Sequence, residues 1–304
     1  MSAAVVTPFR QFFVTVRRVD RISPSFSRVT FTGDDLEFFA DNGYDQRIKL
    51  VFPVPGAGLS ALPAGPDWYA RWRELPDHLR NPIRTYTVRA VRPGAGGPEL
   101  DVDLVRHGDA GPASRWVSTA APGDELVVIG PDARHPGPHG GVEFRPPTGM
   151  DQFLLAGDET AVPAVGAILE RLPGTASGEV VLEVPTDADA LDLVAPAGMR
   201  ITWWPRGSAA PGSRLVPAVR AAAARLVDPA ASPATIEEID VDQQILWEVP
   251  AEPVAGAALY AWVAGEAGAV RALRRHLVAE RGLERRSAAF MGYWRLGRCE
   301  DAAT

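Results

Sequence analysis

With 304 residues, of which 46% are hydrophobic and 23% charged, the chain has the composition of a globular protein and the length for two domains. Its formal net charge of −7 and the lack of a long basic stripe argue against nucleic acid as a partner. No apolar run reaches the length of a membrane span, and no secretion signal is apparent, so we expect a cytoplasmic protein without membrane insertion. The single cysteine, Cys299, excludes an internal disulfide and a cysteine-ligated iron–sulfur cluster.

Short β-type runs separated by Gly, Pro and Asp fill the first half of the chain. We predict six strands, at residues 11–19, 26–31, 48–52, 85–91, 100–107 and 125–129. Many short strands with turn residues between them are typical of an antiparallel β-barrel. Between the third and fourth strands lies a surface excursion, in which residues 68–72 are predicted to form a short helix.

The fourth predicted strand carries the run R-T-Y-T-V-R at residues 84–89. Alternation along a strand sends Arg84, Tyr86 and Val88 to one face. The ring of Tyr86 can lie flat on a planar heterocycle, the fork of Arg84 can bind a diphosphate, and Thr87 can hydrogen-bond a ring edge. This combination suits a flavin dinucleotide, although the run alone is equally typical of a strand with one solvated face.

A helix start follows the fifth predicted strand. Gly111 and Pro112 place a proline at the first helical position, and the N–H groups just beyond it have no partner inside the helix. Such a helix end binds phosphate through backbone donors and the helix dipole, and Ser114 adds a hydroxyl. The segment alone is an ordinary helix start, but after the preceding strand it supplies a phosphate site.

The hydrophobic pattern changes near residue 150. Strands are predicted at 152–156, 179–184, 199–204, 259–264 and 288–295, and helices at 157–172, 215–226 and 266–281. Strands that alternate with helices indicate a parallel, doubly wound sheet. The Pro- and Gly-rich segment 137–148 is the predicted connection between the domains, and the acidic segment 228–243 is predicted to be a loop.

The chain resembles the siderophore-interacting protein family of FAD-dependent ferric-siderophore reductases, within the ferredoxin-reductase superfamily. Four runs carry the resemblance in order: R-T-Y-T-V-R at 84–89, H-G-D-A-G-P-A-S-R-W at 107–116, A-G-D-E-T-A-V-P-A at 156–164 and G-Y-W-R-L-G at 292–297. The resemblance implies a six-stranded antiparallel FAD-binding β-barrel at residues 1–147, followed by a parallel-sheet NAD(P)H-binding α/β domain at 148–304. It also implies a set of FAD contacts: Arg84, Tyr86, Thr87, Val88, Asp103, Val105, His107, Gly111, Ala113 and Ser114.

The implied activity is reduction of a ferric siderophore, with electrons from NADPH or NADH. No hydrolytic constellation is apparent, which fits a flavin that performs the chemistry itself. Ferric catecholates are anionic, so their docking site should be basic, and the candidates are Lys49, Arg134 and Arg295. Each of these three is alternatively a solvated surface charge. Two other functions stay open: a flavin oxidoreductase with another acceptor, and a chelate-binding flavoprotein reduced by a ferredoxin.

The predicted dinucleotide site has an acidic character. The strand at 152–156 ends in Gly157, Asp158, Glu159 and Thr160 rather than in a G-x-G-x-x-G run, and a carboxylate there caps the helix but repels a diphosphate. We therefore predict a weak NAD(P)H site at Asp158, Glu159 and Thr160. Arg206 follows the strand at 199–204 and by fold analogy binds the 2′-phosphate of NADPH, which favours NADPH. The alternative role of Arg206 is that of a solvated loop residue.

Overall fold

The structure, a computed structural model, describes residues 6–94, 96–106, 111–227, 240–241, 244–252, 254 and 256–297. The chain divides into two units, one ending at Val142 and the other spanning Glu143–Glu300. Among the described residues, no helix has the length and apolar character needed to cross a membrane.

An antiparallel sheet forms the first unit, with seven strands among the described residues. The strands are β1 (Phe9–Arg21), β2 (Phe26–Thr32), β3 (Arg47–Val51), β4 (Ile83–Thr87), β5 (Ala90–Gly94), β6 (Gly97–Val105) and β7 (Glu125–Pro131). They pair in the order β4–β3–β7–β1–β2–β6–β5. The two edge strands, β4 and β5, are consecutive in the chain and are separated by Val88 and Arg89 alone, so the sheet curls until its edges approach each other.

The sequence predicted six strands in this sheet, and the described residues contain seven. The predicted strand at 85–91 is divided at Val88 and Arg89. The N–H of Val88 still donates to Gln46 beside β3, whereas the N–H of Arg89 donates to Asp101 of β6. A continuous β-type run hides this division, because composition does not reveal a change of hydrogen-bonding partner.

Alternate strand residues of the first unit point into one hydrophobic core. Val29 and Phe31 of β2 meet Leu100, Val102 and Leu104 of β6 there, and all five are buried. The predicted short helix is confirmed as α1 (Trp68–Arg73), and a second helix, α2 (Pro112–Thr119), covers the core through its apolar side chains. Helix α2 is thereby held against the inner face of the sheet.

A mixed sheet forms the second unit, with six strands among the described residues. The strands are β8 (Gln152–Gly157), β9 (Ser177–Val184), β10 (Gly198–Pro205), β11 (Trp247–Glu248), β12 (Tyr260–Glu266) and β13 (Ala288–Trp294). Their order is β10–β9–β8–β12–β13–β11. The first five are parallel, as predicted, but the short β11 is antiparallel to β13, so the sheet is not purely parallel. A two-residue strand is too short for periodicity to reveal it.

Three helices connect these strands: α3 (Val162–Leu169), α4 (Leu215–Leu226) and α5 (Ala267–Arg274). A π-helical turn, Arg275–Glu280, continues α5. The chain runs from β8 outward to β9 and β10, then crosses back to β12 and β13. The strand order therefore reverses between β8 and β12, and in open α/β sheets ligands bind beside such a point at the carboxyl ends of the strands.

Candidate functional site

The predicted flavin strand is β4, which lies at the edge of the first sheet. Tyr86 lies opposite Ile48 of β3 and is half-buried against the hydrophobic core. Val88 is buried in that same core, and Thr87 is buried as well. Arg84 is half-buried, and its Nη1 donates to the carbonyl of Ile83 at 2.8 Å.

The predicted phosphate-binding turn lies at the start of α2. Gly111 has a φ of +95°, which favours glycine, and no side chain caps the helix there among the described residues. A Cβ atom built on Gly111 would meet no atom of the described residues within 4 Å. Ala113 packs into the core against which Tyr86 lies, and Ser114 is buried. The fold thus brings Tyr86, Val88 and Ala113 onto one core.

Asp103, a predicted FAD contact, has a different set of neighbours. Its two carboxylate oxygens accept from Nε and Nη2 of Arg28 at 2.7 and 2.8 Å, and Arg89 lies 3.8 Å away. The carboxylate therefore connects β2 to β6. Val105 ends β6 as a buried residue opposite Phe26. His107 lies outside the described residues.

A wider group of charges beside Asp103 was missed by sequence reasoning. Asp101 accepts from the hydroxyl of Thr30 at 2.6 Å and from Arg92 at 2.8 and 3.0 Å. Burial raises the pKa of Asp101, but the hydrogen bonds from Arg92 and Thr30 outweigh that effect and lower the pKa overall. The sequence signal was the alternation of Glu99, Asp101 and Asp103 with apolar residues along one strand, which places three carboxylates on the face away from the core.

The three predicted chelate-binding cations lie in different surroundings. Lys49 is exposed and donates to Thr85 at 3.3 Å, on the face of the strand pair opposite to Tyr86. Arg134 donates to both carboxylate oxygens of Asp132 at 2.9 and 2.7 Å, and its guanidinium lies 4.5 Å from the centre of the Phe38 ring. The hydrogen bond from Arg134 lowers the pKa of Asp132. Arg295 directly follows β13 in the second unit and is half-buried.

The carboxyl edge of the second sheet contains a fully buried carboxylate, that of Asp158. It accepts from the N–H and hydroxyl of Thr160 at 2.9 and 2.5 Å, from the N–H of Glu266 at 2.7 Å and from Nε1 of Trp294 at 2.8 Å. These bonds join the ends of β8, β12 and β13. The Asp158 carboxylate lies so close to the backbone of residue 265 that this position requires glycine. A Cβ atom there would lie 2.6 Å from Oδ2 of Asp158, and the φ of Gly265 is +143°.

Titration of Asp158 should make the stability of the protein depend on pH. Burial and the Glu159 carboxylate raise the pKa of Asp158 from 3.8 to about 7, although hydrogen bonds from Thr160 and Trp294 oppose the rise. Between these values the native state holds a proton that the unfolded chain releases, so the free energy of unfolding should fall as pH rises from about 4 to 7. One proton gives a slope of at most about 1.4 kcal/mol per pH unit.

Urea unfolding of the full chain at a series of pH values measures this slope. We expect Asp158→Asn to flatten the curve between pH 5 and pH 7, and Asp151→Asn, a change at an exposed carboxylate, to leave it as in the wild type. A wild-type stability that rises across this window, with no effect of Asp158→Asn, would contradict the assignment.

An ion-pair cluster lies at the ends of β8, β9 and β10. Arg206 donates to both carboxylate oxygens of Glu159 at 2.5 and 2.6 Å, and Glu183 lies 3.7 Å from the same guanidinium. Both carboxylates have side chains with 0% exposure, and that of Arg206 is 11% exposed. Arg206 is therefore not a solvated loop residue.

Glu183 also closes the start of α4. It accepts from three backbone N–H groups, each at 2.8 Å, those of Gly212, Arg214 and Leu215. Sequence reasoning missed this residue. Its signal was a lone carboxylate inside the apolar run V-V-L-E-V at 180–184, where an unpaired charge would be costly to bury.

Two family models match the chain: the siderophore-interacting FAD-binding domain over residues 15–135, and siderophore-interacting protein over residues 150–297. The chain belongs to the siderophore-interacting protein family. The resemblance seen in the sequence is thereby confirmed, and the first unit of this siderophore-interacting protein matches the family's FAD-binding domain.

Relatives with assigned names extend the comparison. The ferric vibriobactin reductase ViuB of Vibrio cholerae is 34% identical, over 92% of this chain and 88% of ViuB. An NADPH-dependent ferric-chelate reductase of Escherichia coli is 35% identical over 52% of this chain and 56% of its own length. The crystal structure of a siderophore utilization protein from T. fusca has a TM-score of 0.70 at 32% identity and covers 97% of both chains. The ferredoxin reductase of carbazole 1,9a-dioxygenase, at 14% identity and a TM-score of 0.60, shares the fold alone.

Proposed function

We propose that this siderophore-interacting protein is an FAD-dependent ferric-siderophore reductase that receives electrons from a nicotinamide dinucleotide. In this proposal, residues 1–147 bind FAD and residues 148–304 bind the donor. The family membership and the named activity of ViuB, which is similar over 92% of this chain, support the substrate class. Anionic chelates of ferric iron are the proposed substrates.

The start of α2 is the observation that carries the FAD site, because the chain turns there at Gly111 with a φ of +95°. The turn at Gly111 and the helix N-terminus that follows it fit a diphosphate, with Ala113 and Ser114 in the first turn, because a helix N-terminus favours an anion. Tyr86, which lies on the core shared with Ala113, would contact the ring system, and Arg84 would add a cation. Bound FAD would accept two electrons from the donor and pass them singly to ferric iron.

The remaining contacts in the first unit have narrower proposed roles. Thr87 and Val88 would hold the flavin edge through the backbone next to the strand break. Asp103 would act by fixing β2 against β6, because both of its oxygens already accept from Arg28. Val105 and His107 stay predicted contacts.

The donor is proposed to bind at the carboxyl edge of the second sheet, where Asp158, Glu159, Thr160 and Arg206 lie. A ferredoxin-type donor is the second candidate, and the buried carboxylates at this edge favour it because they repel a diphosphate. Anaerobic addition of NADH or NADPH to the yellow protein separates the two candidates. Bleaching followed by re-oxidation with a ferric chelate supports the reductase, whereas a flavin that neither dinucleotide bleaches supports the ferredoxin route.

The acceptor is tested in the same cuvette. Ferric chelates, quinones and disulfides are offered in turn to the reduced protein, and a selective response to ferric chelates is expected. A preparation that stays colourless after incubation with FAD would end the proposal.

Lys49 and Arg295 are proposed to attract the anionic chelate. We expect Lys49→Ala and Arg295→Ala each to raise the KM for a ferric catecholate by about fivefold, since an exposed charge pair contributes ~1 kcal/mol at most. Flavin content should not change. The exposed Arg286, replaced with alanine, serves as the control for loss of a surface cation. If both variants reduce the chelate with the wild-type KM, neither cation attracts the chelate and these two assignments are wrong.

A further inference from the structure

We propose that Glu159 makes the donor site select NADH over NADPH by neutralising Arg206, an inference that rests on the proposed nicotinamide-dependent function. Fold analogy makes Arg206 the cation for a 2′-phosphate, because it follows β10 at the carboxyl edge of the sheet. The hydrogen bonds that Arg206 makes to Glu159 leave its guanidinium unable to bind a 2′-phosphate.

The guanidinium fork of Arg206 is already occupied. Two of its nitrogens donate to the two oxygens of Glu159 at 2.5 and 2.6 Å, which is the geometry in which an arginine would bind a phosphate. The Arg206 side chain is only 11% exposed, and Glu159 is fully buried. A 2′-phosphate would have to displace a buried carboxylate from its partner, and a carboxylate without its partner is costly to keep buried.

The charge balance at this edge opposes a second phosphate as well. Glu159 and Glu183 are buried there, and among the described residues Arg206 is the cation that pairs with both. A 2′-phosphate adds a charge of about −1.5 to −2 at neutral pH. The 2′-hydroxyl of NADH adds none, so NADH escapes this repulsion.

Glu159, rather than Glu183, is the residue that determines this specificity. Glu183 accepts from three backbone N–H groups at the start of α4, so it stabilises the helix in either case. It lies 3.7 Å from the guanidinium, whereas Glu159 makes two direct hydrogen bonds. Glu159→Gln should therefore release the fork of Arg206 and leave the helix cap intact.

Calorimetric titration of the FAD-loaded protein with AMP and with adenosine 2′,5′-bisphosphate tests the inference without turnover. We expect the wild type to bind the bisphosphate no more tightly than AMP. In Glu159→Gln, the ratio of the Kd for AMP to the Kd for the bisphosphate should be at least tenfold higher than in the wild type. Glu179→Gln is the matched control. Glu179 is likewise a buried glutamate that pairs with arginine, in its case Arg200 and Arg225, but it lies near the other end of β9. This variant should therefore behave as the wild type.

Steady-state kinetics give a second measurement. The ratio of kcat/KM for NADH to that for NADPH should fall at least tenfold in Glu159→Gln. The double variant Glu159→Gln, Arg206→Gln keeps the pair neutral and should keep the wild-type ratio. If Arg206 binds the 2′-phosphate in the wild type, the double variant should instead lose NADPH selectively.

Three results would overturn the inference: a wild type that binds the bisphosphate tenfold more tightly than AMP, a Glu159→Gln variant with the wild-type preference, or a wild type that binds neither nucleotide.

Failure of the proposed function is distinguishable from failure of this inference. If NADPH bleaches the flavin as fast as NADH does, the inference is lost and the reductase stands. If a dithionite-reduced protein does not reduce a ferric chelate, the reductase itself is wrong.

Discussion

Replacing Tyr86 with alanine is expected to weaken FAD binding by about 10- to 100-fold, since stacking of a heterocyclic base on an aromatic side chain contributes ~1–3 kcal/mol. Tyr86 lies half-buried on the core that also holds Ala113 at the start of α2, so the Tyr86 ring and the predicted phosphate-binding turn pack on the same core. The measurement is fluorescence titration of the apoprotein with FAD, after removal of the cofactor at high salt.

Two further variants separate stacking from general damage. Tyr86→Phe keeps the ring and should retain most of the affinity. Tyr69→Ala removes an exposed tyrosine of α1 that stacks on Trp72, and it should bind FAD as the wild type does. If Tyr86→Ala binds FAD normally, the half-buried tyrosine is a packing residue and the ring site has to be sought elsewhere.

Replacing Glu183 with alanine is expected to lower the free energy of unfolding by more than about 3 kcal/mol, the usual range when a buried charged partner is removed. The carboxylate has no exposed surface and accepts from three N–H groups at the start of α4. Alanine leaves these donors buried without an acceptor and leaves Arg206 with Glu159 alone. Urea unfolding of the full chain with an unchanged m-value measures the loss.

Glu125→Ala is the matched control, because Glu125 is a strand glutamate that is exposed at the start of β7. Glu125→Ala should lower the free energy of unfolding by less than about 0.5 kcal/mol. Glu183→Gln keeps one acceptor oxygen, so its free energy of unfolding should lie between those of Glu183→Ala and Glu125→Ala. A Glu183→Ala protein as stable as the control would mean that the cap of α4 contributes little.

Much of the fold was predictable from local patterns. The helix predicted at 215–226 is α4, and the predicted alternation of strands and helices after residue 150 corresponds to the five parallel strands of the second sheet. Periodicity succeeds here because buried strands and amphipathic helices repeat their apolar residues in distinct ways. The division at Val88 and the short β11 escaped it, because both depend on which strand lies alongside.

The sequence predicted the types of residue in the candidate site better than it predicted which side chains hydrogen-bond to each other. Asp158 and Glu159 stood out in the sequence as carboxylates at a strand end, and both are buried at the carboxyl edge of the sheet. Their partners come from distant positions: Trp294 lies 136 residues from Asp158, and Arg206 lies 47 residues from Glu159. No spacing rule connects residues that far apart in the chain.

The amino-acid order alone was enough to predict the family, the class of each unit and the chemical groups available to hold a flavin and a dinucleotide, since these depend on local order and on short motifs. Which of the charged side chains are already neutralised became clear from the three-dimensional fold alone. The sequence predicts Arg206 as a phosphate ligand, and in the fold Arg206 pairs with Glu159. The family resemblance predicts Asp103 as a cofactor contact, and in the fold Asp103 pairs with Arg28. A charge that is buried on folding has to be paired, and its partner is whatever side chain the neighbouring strand or loop places within hydrogen-bonding distance.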